Sequence, residues 1–231
     1  DILVGPLLLI LVYLMVFSTK IAKVNMNLKK WIIENQNELN ISLIISIFLT
    51  IYYRASYKFV LTIFGSVLLI IIIGKNVISK YKKTKLQGSY WTGQISHLGI
   101  GIFAIGLVLN VTQSFSNELI ISTGDTVNFG EKEFIILSPY EEIKEEKNVI
   151  NLPIKFNNKE KNASLNIFKN SSQQAISSPA VFRNIQSDTY ITIKVIDDDK
   201  FKLIFRENYG IFILWLGLAI SSSSFLTRVR K

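Results

Sequence analysis

Residues 91–110, Trp91 to Asn110, read WTGQISHLGIGIFAIGLVLN. The stretch has no charged residue and matches the length at which a helix crosses a bilayer, about 20 mostly apolar residues. It holds His97, the single histidine of the chain. Side chains four apart share a helix face. Gly93, His97 and Gly101 therefore form one column, with Ala104 close beside it. A rise of about 1.5 Å per residue sets His97 about 9 Å in from Trp91, too deep for an interfacial histidine. Ionisable groups at membrane depth are costly and tend to be functional, so this helix is where chemistry is sought first.

The composition agrees with a membrane helix. Mean hydropathy is +0.33, and the apolar residues are clustered. The length, 231 residues, suits one or two domains. The chain starts at Asp1, and a fragment of a longer reading frame is expected. There is no cysteine, which excludes disulfides, thiol redox chemistry and Cys-held zinc or iron–sulfur clusters within the chain. The net charge of +9 invites a nucleic-acid reading. Its distribution argues against one, because the basic residues sit in short loops beside apolar runs.

Four further apolar runs flank that helix: 2–18, 40–53, 59–74 and 209–226. The second is short unless residues 31–39 contribute, and Trp31 and Ile32 read as interface anchors. The loop 19–30 carries Lys20, Lys23, Lys29 and Lys30. The loop 75–90 carries Lys75, Lys80, Lys82, Lys83 and Lys85, and the tail carries Arg228, Arg230 and Lys231. Basic loops stay on the cytoplasmic side. The spans then put residues 113–208 outside, where acidic and basic residues nearly balance. The expected organisation is transmembrane helices one to four in 1–112, an extracytoplasmic β domain in 113–208, and a last helix with a basic cytoplasmic tail in 209–231.

The insert reads as strands. Glu118–Ser122, Thr126–Phe129, Glu133–Leu137, Asn148–Phe156, Ala163–Phe168, Thr189–Ile196 and Lys200–Arg206 carry the signal, several with period-two alternation. Asn157–Asn162 and Asp197–Lys200 read as hairpin links. Residues 170–180 read as a loop. The fold class expected is an α-helical membrane protein with an inserted antiparallel β domain, a small sandwich or barrel.

His97 is the candidate site residue. Glycines above and below the ring remove side chains on both sides, and a flat ligand of haem size could lie there with His97 as axial ligand to its metal. A histidine bonded to a neighbouring helix, or one on a proton path, are the plainer readings. One imidazole cannot complete a six-coordinate site, so a second ligand comes from elsewhere. Gly99 and Gly106 lie off the column and are assigned to helix packing, and Trp215 and Gly217 to packing and interfacial placement. The insert has no histidine and no recognisable active site; Glu141, Glu142, Glu145 and Glu146 read as a solvated loop, and Asp197, Asp198 and Asp199 as a turn. Two glycosylation acceptor patterns, at Asn162 and Asn170, are of a kind that chance produces often.

The order of features resembles the carboxy-terminal part of the CcmF family of cytochrome c-type biogenesis proteins. SHLGIGIFAIG precedes a β region opening with GDTVNFGEKEF; SDTYITI follows, then ILWLG and a basic end. Ser96, His97 and Gly99 match the family's A-H-x-G pattern. Asp188 and Tyr190 match R-D-L-Y, with Ser187 and Thr189 as departures. Trp215 and Gly217 match W-x-G. The resemblance covers most of the chain from about residue 88 onward. It implies a subunit of the membrane haem lyase that attaches haem covalently to apocytochrome c. It implies a bacterial inner-membrane location with the β domain in the periplasm, and haem b held by His97. The implied partners are haem, the haem chaperone CcmE, apocytochrome c with its thiol-handling proteins, and membrane lipid; nucleic acid is not among them. The family's tryptophan-rich WWD segment and second axial histidine are not in this sequence, and neither is its L-x-P-E-x-R-x-Y stretch.

The rival from another class is a non-enzymatic membrane-anchored scaffold or sensor with an external β domain. A transporter using His97 for protons is disfavoured, because the apolar runs offer no second buried ionisable group to continue a relay.

Overall fold

The structure is a computed structural model that describes residues 4–21, 28–81, 88–169, 175–197 and 200–226. Lys23, Lys82, Lys83, Lys85, Asn170, Asp198, Asp199 and the tail Arg228, Arg230 and Lys231 lie outside the described residues. The chain forms two compact units, one of Asp1–Gln113 with Tyr209–Lys231 and one of Ser114–Asn208.

The first unit is helical: α1 (Val4–Ile21), α2 (Leu28–Glu34), α3 (Gln36–Tyr52), α4 (Val60–Tyr81), α5 (Gly88–Gln113) and α6 (Ile211–Ser223). Two stretches, Val60–Ser79 and Tyr90–Gln113, are long and apolar enough to cross a membrane; Gly5–Ser18 and Ile211–Ser223 are apolar but shorter. Val16, Trp31, Leu68, Leu69, Ile72 and Ile73 form one buried cluster. Trp31 is therefore no interface anchor. It is 5% exposed, and its ring meets Phe17 at 5.4 Å. The physical cause is the break at Asn35, whose Nδ2 donates to the Trp31 carbonyl at 2.7 Å. That break separates α2 from α3, and Trp31 packs inward while Ile32 stays exposed.

On α3, buried Glu38, Ser42 and Ser46 follow each other at a spacing of four. Each hydroxyl donates to the carbonyl four residues back, Ser42 to Glu38 O and Ser46 to Ser42 O, both at 2.6 Å, which satisfies it without a partner helix. The Glu38 carboxylate is held by Lys75 of α4. The expectation that the spans hold no second buried ionisable group is thus corrected. The apolar run was read from residue 40, while the helix starts at Gln36 and carries Glu38 into the packed part.

The second unit is all β. Its strands are β1 (Phe115–Ser122), β2 (Thr126–Phe129), β3 (Lys132–Ile136), β4 (Tyr140–Ile143), β5 (Lys147–Phe156), β6 (Lys159–Phe168), β7 (Ala175–Ser178), β8 (Ala180–Arg183), β9 (Ser187–Asp197) and β10 (Lys200–Tyr209). They make two antiparallel sheets. One has the order β1-β10-β9-β8; the other has β2-β3-β5-β6-β7, with β4 also on β5. Side chains of both sheets share one core, including Phe134, Ile154, Phe182, Ile191, Leu203 and Phe205. The arrangement is a sandwich, with inward residues at every second position. Along β10 the pattern is clean, with Phe201, Leu203 and Phe205 buried.

Three strands differ from the sequence reading. β4 takes Glu141 and Glu142 out of the supposed loop, because β5 offers them backbone partners at Ile150 and Val149. β7 and the start of β8 occupy much of the described part, 175–180, of the supposed loop 170–180. Pro179 divides them, and the chain changes sheet there: β7 pairs with β6 and β8 with β9. Asn157 and Asn158 alone make the β5–β6 turn, at φ of 46° and 61°. Asparagine tolerates that left-handed pair, so strand pairing resumes at once from Lys159. The last apolar run starts two residues late, because Tyr209 ends β10.

Candidate functional site

His97 lies mid-way along the first half of α5, half-buried, with α1 on one side. Its Nε2 is 3.1 Å from the Ser18 hydroxyl. That hydroxyl already donates to the Met15 carbonyl at 2.9 Å, so it accepts from Nε2–H. The tautomer this network selects leaves the lone pair on Nδ1. Nδ1 is buried and has no hydrogen-bond partner. A buried polar atom left unmatched is rare and calls for an explanation.

The glycine column proves to be two different things. A Cβ built on Gly93 would meet nothing within 4 Å, so that side is open. A Cβ on Gly101 would meet Ile70 Cγ1 at 3.1 Å and the Ser66 carbonyl at 3.4 Å. The slot expected on both sides of the ring is therefore filled by α4 on one. Of the two glycines in the His97 column, only Gly93 leaves open space where a flat metal-bearing group would have to lie. A separate apolar recess of about 330 Å³ in the helical unit is lined by Tyr13, Phe17, Trp31 and Phe64 among others, without His97.

Gly99, Gly106 and Gly217 do what the sequence reading assigns them. A Cβ on Gly99 would lie 2.4 Å from the Ser221 nitrogen, and one on Gly217 would lie 2.3 Å from the Phe103 nitrogen. α5 and α6 thus touch backbone to backbone, as small residues allow. Gly210 starts α6 at φ 73°, a conformation that favours glycine. Ser96, next to His97, places its hydroxyl 3.3 Å from that of Ser221. Neighbouring residues of α5 thereby reach two different helices, and the His97 ring is fixed between them.

Ser18 was missed by the sequence reading. It ends an apolar run 79 residues from His97, and nothing in its own context marks it. The β unit holds a second polar cluster that was also missed. Lys132 Nζ donates to Glu207 Oε1 at 2.6 Å, Thr189 Oγ1 at 2.8 Å and Ser187 Oγ at 3.1 Å. Ser187 Oγ donates to the same Glu207 oxygen. Ser187 and Thr189 flank Asp188 in SDTY, and all three are buried. Asp188 stands opposite Arg183, and Tyr190 opposite Val181.

No family model matches the chain. Over 50 residues it is 46% identical to the cytochrome c-type biogenesis protein CcmF of Pseudomonas aeruginosa, a segment that makes up 22% of this chain and 8% of that protein. Its structure matches that of "Cytochrome c Heme Lyase CcmF" with a TM-score of 0.80 at 10% identity, over 98% of this chain and 39% of the other. The chain thus spans about two fifths of the solved CcmF. Helices with an inserted pair of antiparallel sheets define the class, and that class is the CcmF fold. The chain is thus similar to part of CcmF, in fold over nearly its whole length and in sequence over the 50-residue segment.

Proposed function

We propose that this chain serves cytochrome c maturation as part of a membrane haem lyase, with His97 as an axial ligand to a b-type haem. The observation that carries the ligand role is the half-buried His97 imidazole beside the open side of Gly93; the ring's Nε2, the nitrogen remote from Cβ that can reach a porphyrin iron, meets the exposed Ser18 hydroxyl. The haem, when bound, would supply structural support or an electron path to the haem being attached. The ligand opposite His97 comes from outside this sequence.

The helices are proposed to cross the bacterial inner membrane several times, with the β unit in the periplasm. Two helices of spanning length support this, as do exposed apolar side chains on α1, α3 and α6, among them Leu7, Ile44, Phe48 and Trp215. Large apolar faces without a protein partner mark an apolar surrounding. The proposed division is helices in 1–112, β domain in 113–208, last helix and tail in 209–231. CcmE, apocytochrome c and lipid are proposed partners by likeness to the family. The β domain is proposed as a docking or shielding surface rather than a catalyst.

The test is the reduced-minus-oxidised spectrum of the full-length protein. His97→Ala is expected to remove most of the b-type absorption, while Ser18→Ala keeps it with a shifted band. Unchanged absorption in His97→Ala refutes the ligand role. A colourless wild-type protein, purified with its natural membrane partners, favours the scaffold reading instead.

A further inference from the structure

At one end of the β sandwich a recess of about 900 Å³ is lined by Lys159 and Lys161 of β6, Arg183 of β8, and Lys132 and Thr189 deeper in. Its origin is the change of sheet at Pro179. Among the described residues β7 pairs with β6 at Ser164–Ile167, and the outer edge of β6 from Lys159 to Ala163 has no paired strand. The chain has crossed to the other sheet as β8, which is itself an edge strand. Two free backbone edges therefore border one wedge.

The charges inside it are one-sided. Lys132 is matched by Glu207. Lys159, Lys161 and Arg183 make no ion pair among the described residues, and Glu160 is the only carboxylate in the lining. Lys159 and Lys161 share the alternation of Ala163 and Leu165, which face the core. Past the end of the core, the same face of β6 thus turns from apolar to cationic. Lysines on an edge strand are often a guard against random strand pairing. A guard needs only a charged convex edge. Here three cations line a hollow wide enough for an extended chain, and the residue that follows Asn184 of the lining, Ile185, is exposed.

We propose that this recess binds an extended acidic polypeptide segment, which adds as a strand to the free edge of β8 and turns its inward carboxylates toward Lys159 and Lys161, with Arg183, which alternates with the core-facing Phe182, at the rim of the recess. Main-chain hydrogen bonds would give affinity, and alternate side chains specificity. One face of such a strand meets the cations and the other faces outward, so the ligand alternates acidic and neutral residues. The inference deepens the docking role proposed for the β domain and rests on it; it does not depend on haem at His97.

The experiment is fluorescence anisotropy of the full-length protein with a labelled eight-residue peptide of alternating glutamate and valine. The matching lysine–valine peptide is the control. The glutamate peptide is expected to bind at least tenfold more tightly, and less tightly as salt rises. Lys159→Glu with Arg183→Glu is expected to weaken it at least tenfold, and the milder Lys159→Gln with Arg183→Gln severalfold. Lys144→Glu with Lys194→Glu, outside the lining, should leave it unchanged. Alternate N-methylation of the peptide keeps its charge and removes strand pairing; equal binding of that peptide overturns the proposal. So does displacement of the peptide by inorganic phosphate at equal concentration, or stronger capture of anionic-lipid vesicles by the same residues. If the two peptides bind alike while the protein still captures apocytochrome c, the recess proposal fails and the general docking role survives.

Discussion

Replacing Lys132 with methionine is expected to loosen the β unit more than any other single change outside its apolar core. The ammonium contacts Ser187, Thr189 and Glu207. The Glu207 side chain is 5% exposed and that of Lys132 is 19% exposed. Removing the cation leaves a carboxylate shut away from water with only the Ser187 hydroxyl to share its charge. Breaking a buried pair from one side costs about 3–5 kcal/mol, because the abandoned charge keeps its desolvation penalty. The measurement is hydrogen exchange in the full-length protein. Amides of β3, β9 and β10 should lose about 100- to 4000-fold in protection, following about 1.4 kcal/mol per tenfold. Lys132→Met combined with Glu207→Leu should recover most of it, because a pair of apolar groups is tolerated where a lone charge is not. Normal protection in the single variant rules out a structural role for the cluster.

That cluster also shows where sequence reading stops. SDTY was recognised by Asp188 and Tyr190, with Ser187 and Thr189 noted only as departures from a family pattern. In the fold, those two hydroxyls hold Lys132 from 55 and 57 residues away. No local pattern encodes a contact between β3 and β9, since it arises only when the sheets face each other. The strands themselves were largely legible. Period-two alternation marked LPIKF in β5 and TYITIKV in β9, and strand signals also located β2 and β10. β4 escaped since Glu141 and Glu142 carry no strand signal; pairing with β5 imposes the conformation. β8 escaped because Pro179 and neighbouring serines read as a loop, although they mark a crossing between sheets.

The helices follow the same division. Apolar runs located all five long helices within a few residues, while what faces what was not encoded. Trp31 could have been at an interface or in a core, and only the Asn35 break decides it. Gly93 and Gly101 look equivalent in the His97 column, yet Ile70 of α4 fills one side and leaves the other open. The likeness to CcmF read from the order of motifs is met by a fold match over 98% of the chain at 10% identity and by a 50-residue segment at 46% identity.

Close approach of α5 and α6 gives the second large effect. A Cβ at Gly217 would lie 2.3 Å from the Phe103 nitrogen and 2.7 Å from the Gly99 carbonyl. Both are backbone atoms of a neighbouring helix, so no rotamer change relieves the clash and the helices must separate. Overpacking costs about 1–3 kcal/mol where side chains can adjust, and rigid backbone sets this case at or above that upper end. The chain has no cysteine, so a reporter pair is free of background. Ser96→Cys with Ser221→Cys replaces hydroxyls 3.3 Å apart and is expected to cross-link under mild oxidation. Adding Gly217→Ala should abolish the cross-link. Gly101→Ala, which meets only the movable end of Ile70 and a more distant carbonyl, should slow it slightly, and Gly93→Ala should leave it intact. The three glycines rank by what a methyl group would touch, which ties the response to packing rather than to helix propensity, since each change replaces glycine by the better helix former. Efficient cross-linking in Gly217→Ala would mean that the helices are not in backbone contact. His97 would then lose one of the two neighbours that hold its turn of helix in place.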